Sequence, residues 1–242
     1  MIPSNVEIRS RARQTLLCHY GTMVAAMVTA EVIVWLLSSF SSFSGKSGFL
    51  VIISFLFSLL VSILTNVLHG GFDYLCLQLV RERQVRFTDL FFCFRVHAEA
   101  FIRLACGIAL VNLIVALPFG LILLFLSRMG AGTSSGMRVI RIVVIIIYVL
   151  VLLLVNIFYS MSFLILIDEP KLGPVGAMRA GRAFAQQAPE KLLMLYLSFA
   201  GYILLGILSF GIGVLWVIPY LGTSKAHYYL AMREVDKNRQ QE

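Results

Sequence analysis

Residues 192–224 read LLMLYLSFAGYILLGILSFGIGVLWVIPYLGTS, 33 positions without a single Asp, Glu, Lys or Arg. As one helix this stretch would measure roughly 50 Å, against a bilayer hydrocarbon core of about 30 Å, too long for one comfortable crossing. Gly211-Ile212-Gly213 falls inside it and offers a tight turn. The stretch therefore predicts two apolar helices, 192–210 and 213–231, the second continuing through Tyr229. Three more charge-free runs, Ser47–Phe72, Leu104–Ser127 and Ile142–Ile167, hold 26, 24 and 26 residues. Each matches the ~20 apolar residues a spanning helix needs. A fifth run, Gln14–Gly45, is interrupted only by Glu31. The reading is an all-α, polytopic membrane domain over 1–242. Its six spans lie near 16–40, 49–72, 104–127, 141–167, 192–210 and 213–231, paired as three hairpins.

Composition agrees. The chain is 60% hydrophobic and 13% charged, where soluble domains average roughly 45–50% and 25%. Mean hydropathy is +0.91. That excludes disorder, which needs a shortage of apolar surface. The net charge of +8 comes from basic residues that flank apolar runs, the pattern of membrane-edge charge, so no nucleic-acid partner is expected. With six crossings and both termini inside, sixteen of the 20 Lys and Arg are cytoplasmic, leaving Lys46, Arg128, Arg138 and Arg141 outside. Five crossings would divide them twelve to eight. Basic residues gather on the inner side, which selects six. The basic start followed by a full-length apolar run reads as a retained anchor, not a cleaved export signal.

Three cytoplasmic segments of amphipathic character, 4–14, 88–101 and 174–187, precede the three hairpins, a coarse repeat with thin residue identity. In the second, Thr88-Asp89 starts a helix on which Leu90, Phe91, Phe94 and Phe101 share an apolar face. In the third, Pro174 follows Gly173 at a helix start. Such helices are expected to lie in the interface plane, where Arg9, Arg11, Arg13, Arg95, Arg179 and Arg182 would meet anionic lipid headgroups. The other reading makes them a docking platform for a protein partner or a second copy. Cys18, Cys76, Cys93 and Cys106 all fall on the inner side, where reduced thiols are expected. No spacing of Cys and His fits zinc, and no metal or other cofactor is expected.

Polar residues inside spans are the candidate functional groups, because each is costly there. Glu31 lies in the outer half of the first span, either protonated or facing a polar interior. Asn66, His69 and Asp73 fall on one helical stripe in the second span, with Gly70-Gly71 between them to kink the helix or admit a close neighbour. Lys225 in the last span either snorkels inward or pairs with an acid, and Asp73 should lie at similar depth. Pro118 should bend the third span, which also carries Asn112, and Pro219-Tyr220 with Gly222 should break the last. Asp168-Glu169 is expected to bridge to Lys171 or Arg179, and Tyr228-Tyr229 to sit as interface aromatics. Enzyme signatures such as G-x-S-x-G, a P-loop or H-E-x-x-H are missing, and no catalytic residue is expected.

The run Asp168-Glu169-Pro170, the small-residue helix Ala177–Ala183, the span from Leu192, Leu215-Trp216-Val217-Ile218-Pro219-Tyr220 and Tyr228-Tyr229 resemble the bacterial integral-membrane domain-of-unknown-function family 975. Gly71-Phe72-Asp73-Tyr74 and Thr88-Asp89-Leu90-Phe91 resemble its middle region. The resemblance implies a protein of a bacterial, Gram-positive cytoplasmic membrane with six or so spans, and supplies no catalytic or ligand residues; both termini are expected to be cytoplasmic from the charge count. Two functions follow from the sequence. The first is a non-enzymatic accessory, scaffold or immunity-type component acting through lipid or protein contacts. The alternative is a small-solute or ion transporter or channel using Glu31, Asp73 and Lys225, which a polar cavity beside those residues would favour.

Overall fold

A computed structural model describes residues 4–241 except 18, 42–47, 129–134, 210 and 212. The described residues form ten α-helices and two short 3-10 turns, with no strand. In chain order they are α1 (Asn5–Leu17), α2 (Tyr20–Ser41), α3 (Gly48–Val80), α4 (Phe92–Arg95) and α5 (Ala98–Arg128). Then come α6 (Ser135–Tyr159), α7 (Ser162–Asp168), α8 (Gly173–Gln187), α9 (Pro189–Leu208) and α10 (Val214–Gln241). Four stretches are long and apolar enough to cross a membrane: Tyr20–Ser39, Phe49–Val80, Ala98–Arg128 and Gly136–Asp168. A fifth arises only if Pro170–Gln187 and Pro189–Gly206, bent by 88° at their junction, count as one. The outer parts of α3, α5 and α6 expose Phe49–Ile53, Leu121–Ile122 and Ile145–Ile147 among many other apolar side chains. Apolar helices left unburied on this scale are suited to a lipid surround.

α2 packs on α3, α5 on α6 and α9 on α10, and α10 also lies against α1, α2 and α3. Two buried clusters share α10. One gathers α3, α5, α7, α8 and α9, and the other joins α1 and α2 to the inner half of α3. α7, sequence SFLILID, is buried from Ser162 to Leu166. It reaches that depth because its neighbours have glycines: a Cβ on Gly70 would lie 2.5 Å from the Phe163 ring, and one on Gly181 would lie 2.3 Å from Ser162 Oγ. A Cβ on Gly71 would come within 1.8 Å of the Leu90 carbonyl oxygen. The Gly70-Gly71 pair thus serves close approach, and α3 runs through it unbroken to Val80.

Several local expectations are corrected. The segment 88–101 is not one helix: a 3-10 turn at Phe87–Phe91 and the single turn of α4 end at Val96, and His97 takes a positive φ of 52° before α5 begins. The cause is packing, since buried Leu90 and Cys93 and the stacking of Phe92 on Tyr74 hold this segment against α3. The span expected at 141–167 is present as the stretch Gly136–Asp168, though a short break at Ser160-Met161 separates α6 from α7. Pro219 does not break α10; it lies in the helix's second turn, and the Thr223 hydroxyl donates to its carbonyl. Tyr228 and Tyr229 are not interface aromatics, being 1% and 2% exposed. Gly211 has the positive φ, 84°, that the turn after α9 requires.

The amphipathic helices turn their apolar faces inward. Ile8, Ala12 and Leu16 of α1 are buried, as are Ala177, Gly181 and Ala185 of α8, each set one turn apart. Arg11, Arg13, Arg95, Arg179 and Arg182 are exposed and Arg9 is half-buried.

Candidate functional site

Four of the five candidate polar residues meet at one cavity. Glu31 comes from α2, His69 and Asp73 from α3 and Lys225 from α10, and Met27, Phe72, Tyr196, Ile218 and Leu221 are among the other residues that line a space of about 190 Å³. His69 and Asp73 stand one helical turn apart, so the sequence alone aims both at the same side. Lys225 reaches them because α10 approaches closely at Gly222, where a Cβ would lie 2.8 Å from Cys76 Sγ. Lys225 Nζ donates to Asp73 Oδ1 at 2.5 Å, and the two side chains are 12% and 10% exposed. Of the two outcomes open to Lys225, it is the pairing with Asp73 that is present. A second pair, His69 Nε2 and Glu31 Oε1 at 3.6 Å, is half exposed. Asn66 stays apart, its amide donating to the Ser62 carbonyl one turn back on α3.

The pairs differ in what they can do. Asp73 and Lys225 neutralise each other, whereas Glu31 faces an imidazole that carries charge only when protonated. The cavity therefore holds two carboxylates, one ammonium and one imidazole. Its chemistry is to accept a proton or a small cation, and the volume holds several waters or one small solute. Among the described residues, no three His, Cys, Asp or Glu side chains are grouped to hold a metal ion.

A second ionic cluster escaped the sequence reading. Asp168, its side chain 4% exposed, accepts from Arg81 Nη2 at 2.6 Å, from the Tyr229 hydroxyl at 3.0 Å and from Arg233, which also bonds Glu169. This corrects the expected bridges to Lys171 or Arg179: the partners come from the turn after α3 and from α10, 87 and 65 positions away. Burial, with Arg81 close by, pulls the Arg233 guanidinium below its ordinary value. The signal that could have revealed the cluster was an acid at the very end of an apolar run, which needs cations from neighbouring helices. Asn156 was also missed; it pairs across to Asn112, amide to amide, between α6 and α5. Of the cysteines, Cys76 and Cys93 are free and buried and Cys106 is free and exposed, while Cys18 lies outside the described residues. Burial, and secondarily Asp73, pushes the Cys93 thiol well up, so it is inert.

Fold and site together define an all-α chain with membrane-length apolar helices and a charged cavity between two of them, α2 and α3, and α10. The family model described as "Protein of unknown function (DUF975)" matches residues 1–236, and the chain belongs to that family. Neither the curated proteins nor the solved structures contain a match.

The buried pair yields a stability prediction. Lys225→Met alone should destabilise the protein by about 3–5 kcal/mol, because it strands the Asp73 carboxylate in a low-dielectric site. Asp73→Leu combined with Lys225→Met should recover most of that loss. Unfolding of the detergent-solubilised variants measures both; a double variant no more stable than Lys225→Met would show that the pair is not the coupling.

Proposed function

We propose that this is a multi-pass protein of a bacterial cytoplasmic membrane that passes a proton or small cation through the cavity at Asp73. The observation carrying the proposal is the convergence of Glu31, His69, Asp73 and Lys225, two acids among them, from three helices on one space. The scaffold reading draws less support, because Ile8, Ala12 and Leu16 of α1 and Ala177 and Ala185 of α8 are buried within the protein, although Val6, Leu17 and Val175 stay exposed.

The membrane topology proposed with it has four crossings, α2, α3, α5 and α6 with α7, and a hairpin of α9 and α10 that enters and leaves by one face. Arg9 and Arg13 share a groove with Tyr202 and Tyr220, and the Tyr220 hydroxyl donates to the Arg9 carbonyl at 3.2 Å. An arginine at the bilayer centre costs at least ~2.5–3.5 kcal/mol, so this groove belongs at the polar boundary. Beyond it, α9 runs only from Tyr202 to Leu208 and α10 only from Val214 to Tyr220. Six residues of helix rise about 9 Å, far short of a ~30 Å core. This replaces the two last crossings of the six expected, and it keeps both termini and the basic residues on the same side as before. Backbone that turns inside the membrane is tolerated where it is packed in protein or lines a polar space; here Gly206 packs directly on Gly213 and Val214.

Labelling tests the topology. A membrane-impermeant maleimide should leave Ser209→Cys unmodified from outside intact cells while it modifies Gly136→Cys; modification of Ser209→Cys from outside would restore six crossings.

Proteoliposomes test the activity. With a potassium gradient and valinomycin driving inward proton flux, wild-type protein should acidify the lumen faster than protein-free vesicles do. Asp73→Asn should abolish the difference, and so should Glu31→Gln, whose half-exposed site tolerates the change without loss of the fold. A wild-type rate equal to that of empty vesicles, with sodium or potassium as the permeant ion as well, would contradict the proposal.

A further inference from the structure

The groove beside Arg9 and Arg13 has the features of a ligand site, and it is separate from the Asp73 cavity. It measures about 520 Å³, and α1, α9 and α10 form its walls. Arg9, Arg13 and Gln14 line one side and Tyr202 and Tyr220 the other. Arg9 and Arg13 are one turn apart on α1 and so present their guanidinium groups together. Among the described residues neither has a carboxylate partner, whereas Arg11, on another face of the same helix, is paired with Glu7 at 2.6 Å. The two free cations therefore face a concavity, and the one outside it is neutralised.

Both ends of the groove are apolar and open: Val6 is 68% and Leu17 64% exposed. On α9, Leu205 lies one turn beyond Tyr202 and is 65% exposed. Two cations above an aromatic floor, continuous with an apolar helix face, match a molecule with an anionic phosphate head and hydrocarbon tails. An inorganic phosphate would use the arginines alone and leave Val6, Leu17 and Leu205 without purpose. We infer that this groove binds one anionic phospholipid, its phosphate between Arg9 and Arg13 and an acyl chain along α9. The six arginines first expected to meet lipid are thereby divided: Arg9 and Arg13 hold a headgroup in a built site, and Arg11, Arg95, Arg179 and Arg182 do not belong to it.

The test uses the purified full chain in detergent, titrated with short-chain phosphatidylglycerol, phosphatidylcholine or inorganic phosphate. Thermal melting and native mass spectrometry report binding. Phosphatidylglycerol should raise the melting midpoint and stay bound, and the other two should do neither. Each arginine contributes ~1 kcal/mol to such contacts, so Arg9→Gln and Arg13→Gln should each weaken phosphatidylglycerol about fivefold. Arg11→Gln should leave it unchanged. Equal binding of phosphatidylcholine, an equal shift with phosphate alone, or an equal loss in Arg11→Gln overturns the site. Should the glutamine variants fail to fold, a photocrosslinker at Gln14→Cys with both arginines intact decides: preferential capture of phosphatidylglycerol supports the site, and capture indifferent to headgroup overturns it.

Discussion

A carboxylate and an ammonium 2.5 Å apart, each about nine-tenths buried, tie α3 to α10. In a low-dielectric surround, either charge alone would cost several kcal/mol, so neither helix can move without the other. That constraint reaches outward. The close approach of α10 at Gly222 puts Lys225 beside Asp73, and Asp73 carries His69, one turn along α3, towards Glu31 on α2. The polar cavity is thus a consequence of one ion pair together with one glycine.

A second lock, eight positions further along α10, repeats the logic nearer the chain's basic end. Arg233 and Arg81 share Asp168, and the Tyr229 hydroxyl completes its shell. Two acids, on α3 and α7, therefore fix α10 at two heights. α1 adds a third tie: the Thr15 hydroxyl lies 3.2 Å from the His227 ring, and Asn5 reaches the Lys191 carbonyl. These contacts hold the amphipathic helix to α9 and α10, which is why its groove has a fixed shape.

Much of this was legible in the sequence. Charge-free runs located the long helices, because lipid demands uninterrupted apolar length. Depth arithmetic paired Asp73 with Lys225, since two opposite charges at one level of a bilayer have few other partners. What was not legible depends on side-chain packing across distant elements. Asp168 has oppositely charged neighbours at Lys171 and Arg179, yet it is bound by Arg81 and Arg233, because α7 is buried with its end pointing at α3 and α10. Asn66 sits on the stripe of His69 and Asp73 but bonds within its own helix, a choice that periodicity cannot foresee. The segment 88–101 has helical patterning, and the stacking of Phe92 on Tyr74 overrides it.

The central claim is that water and small ions reach the space between Glu31 and Asp73. Its most direct measurement is the reaction of Leu221→Cys, which lines that space, with a small charged thiosulfonate in a background lacking the four native cysteines. The account predicts modification of the protein in intact membranes, slowed when Glu31→Gln removes the charge that attracts a cationic reagent. No modification by either a cationic or an anionic reagent, in protein shown to be folded, would mean the space is closed and dry, and would contradict it.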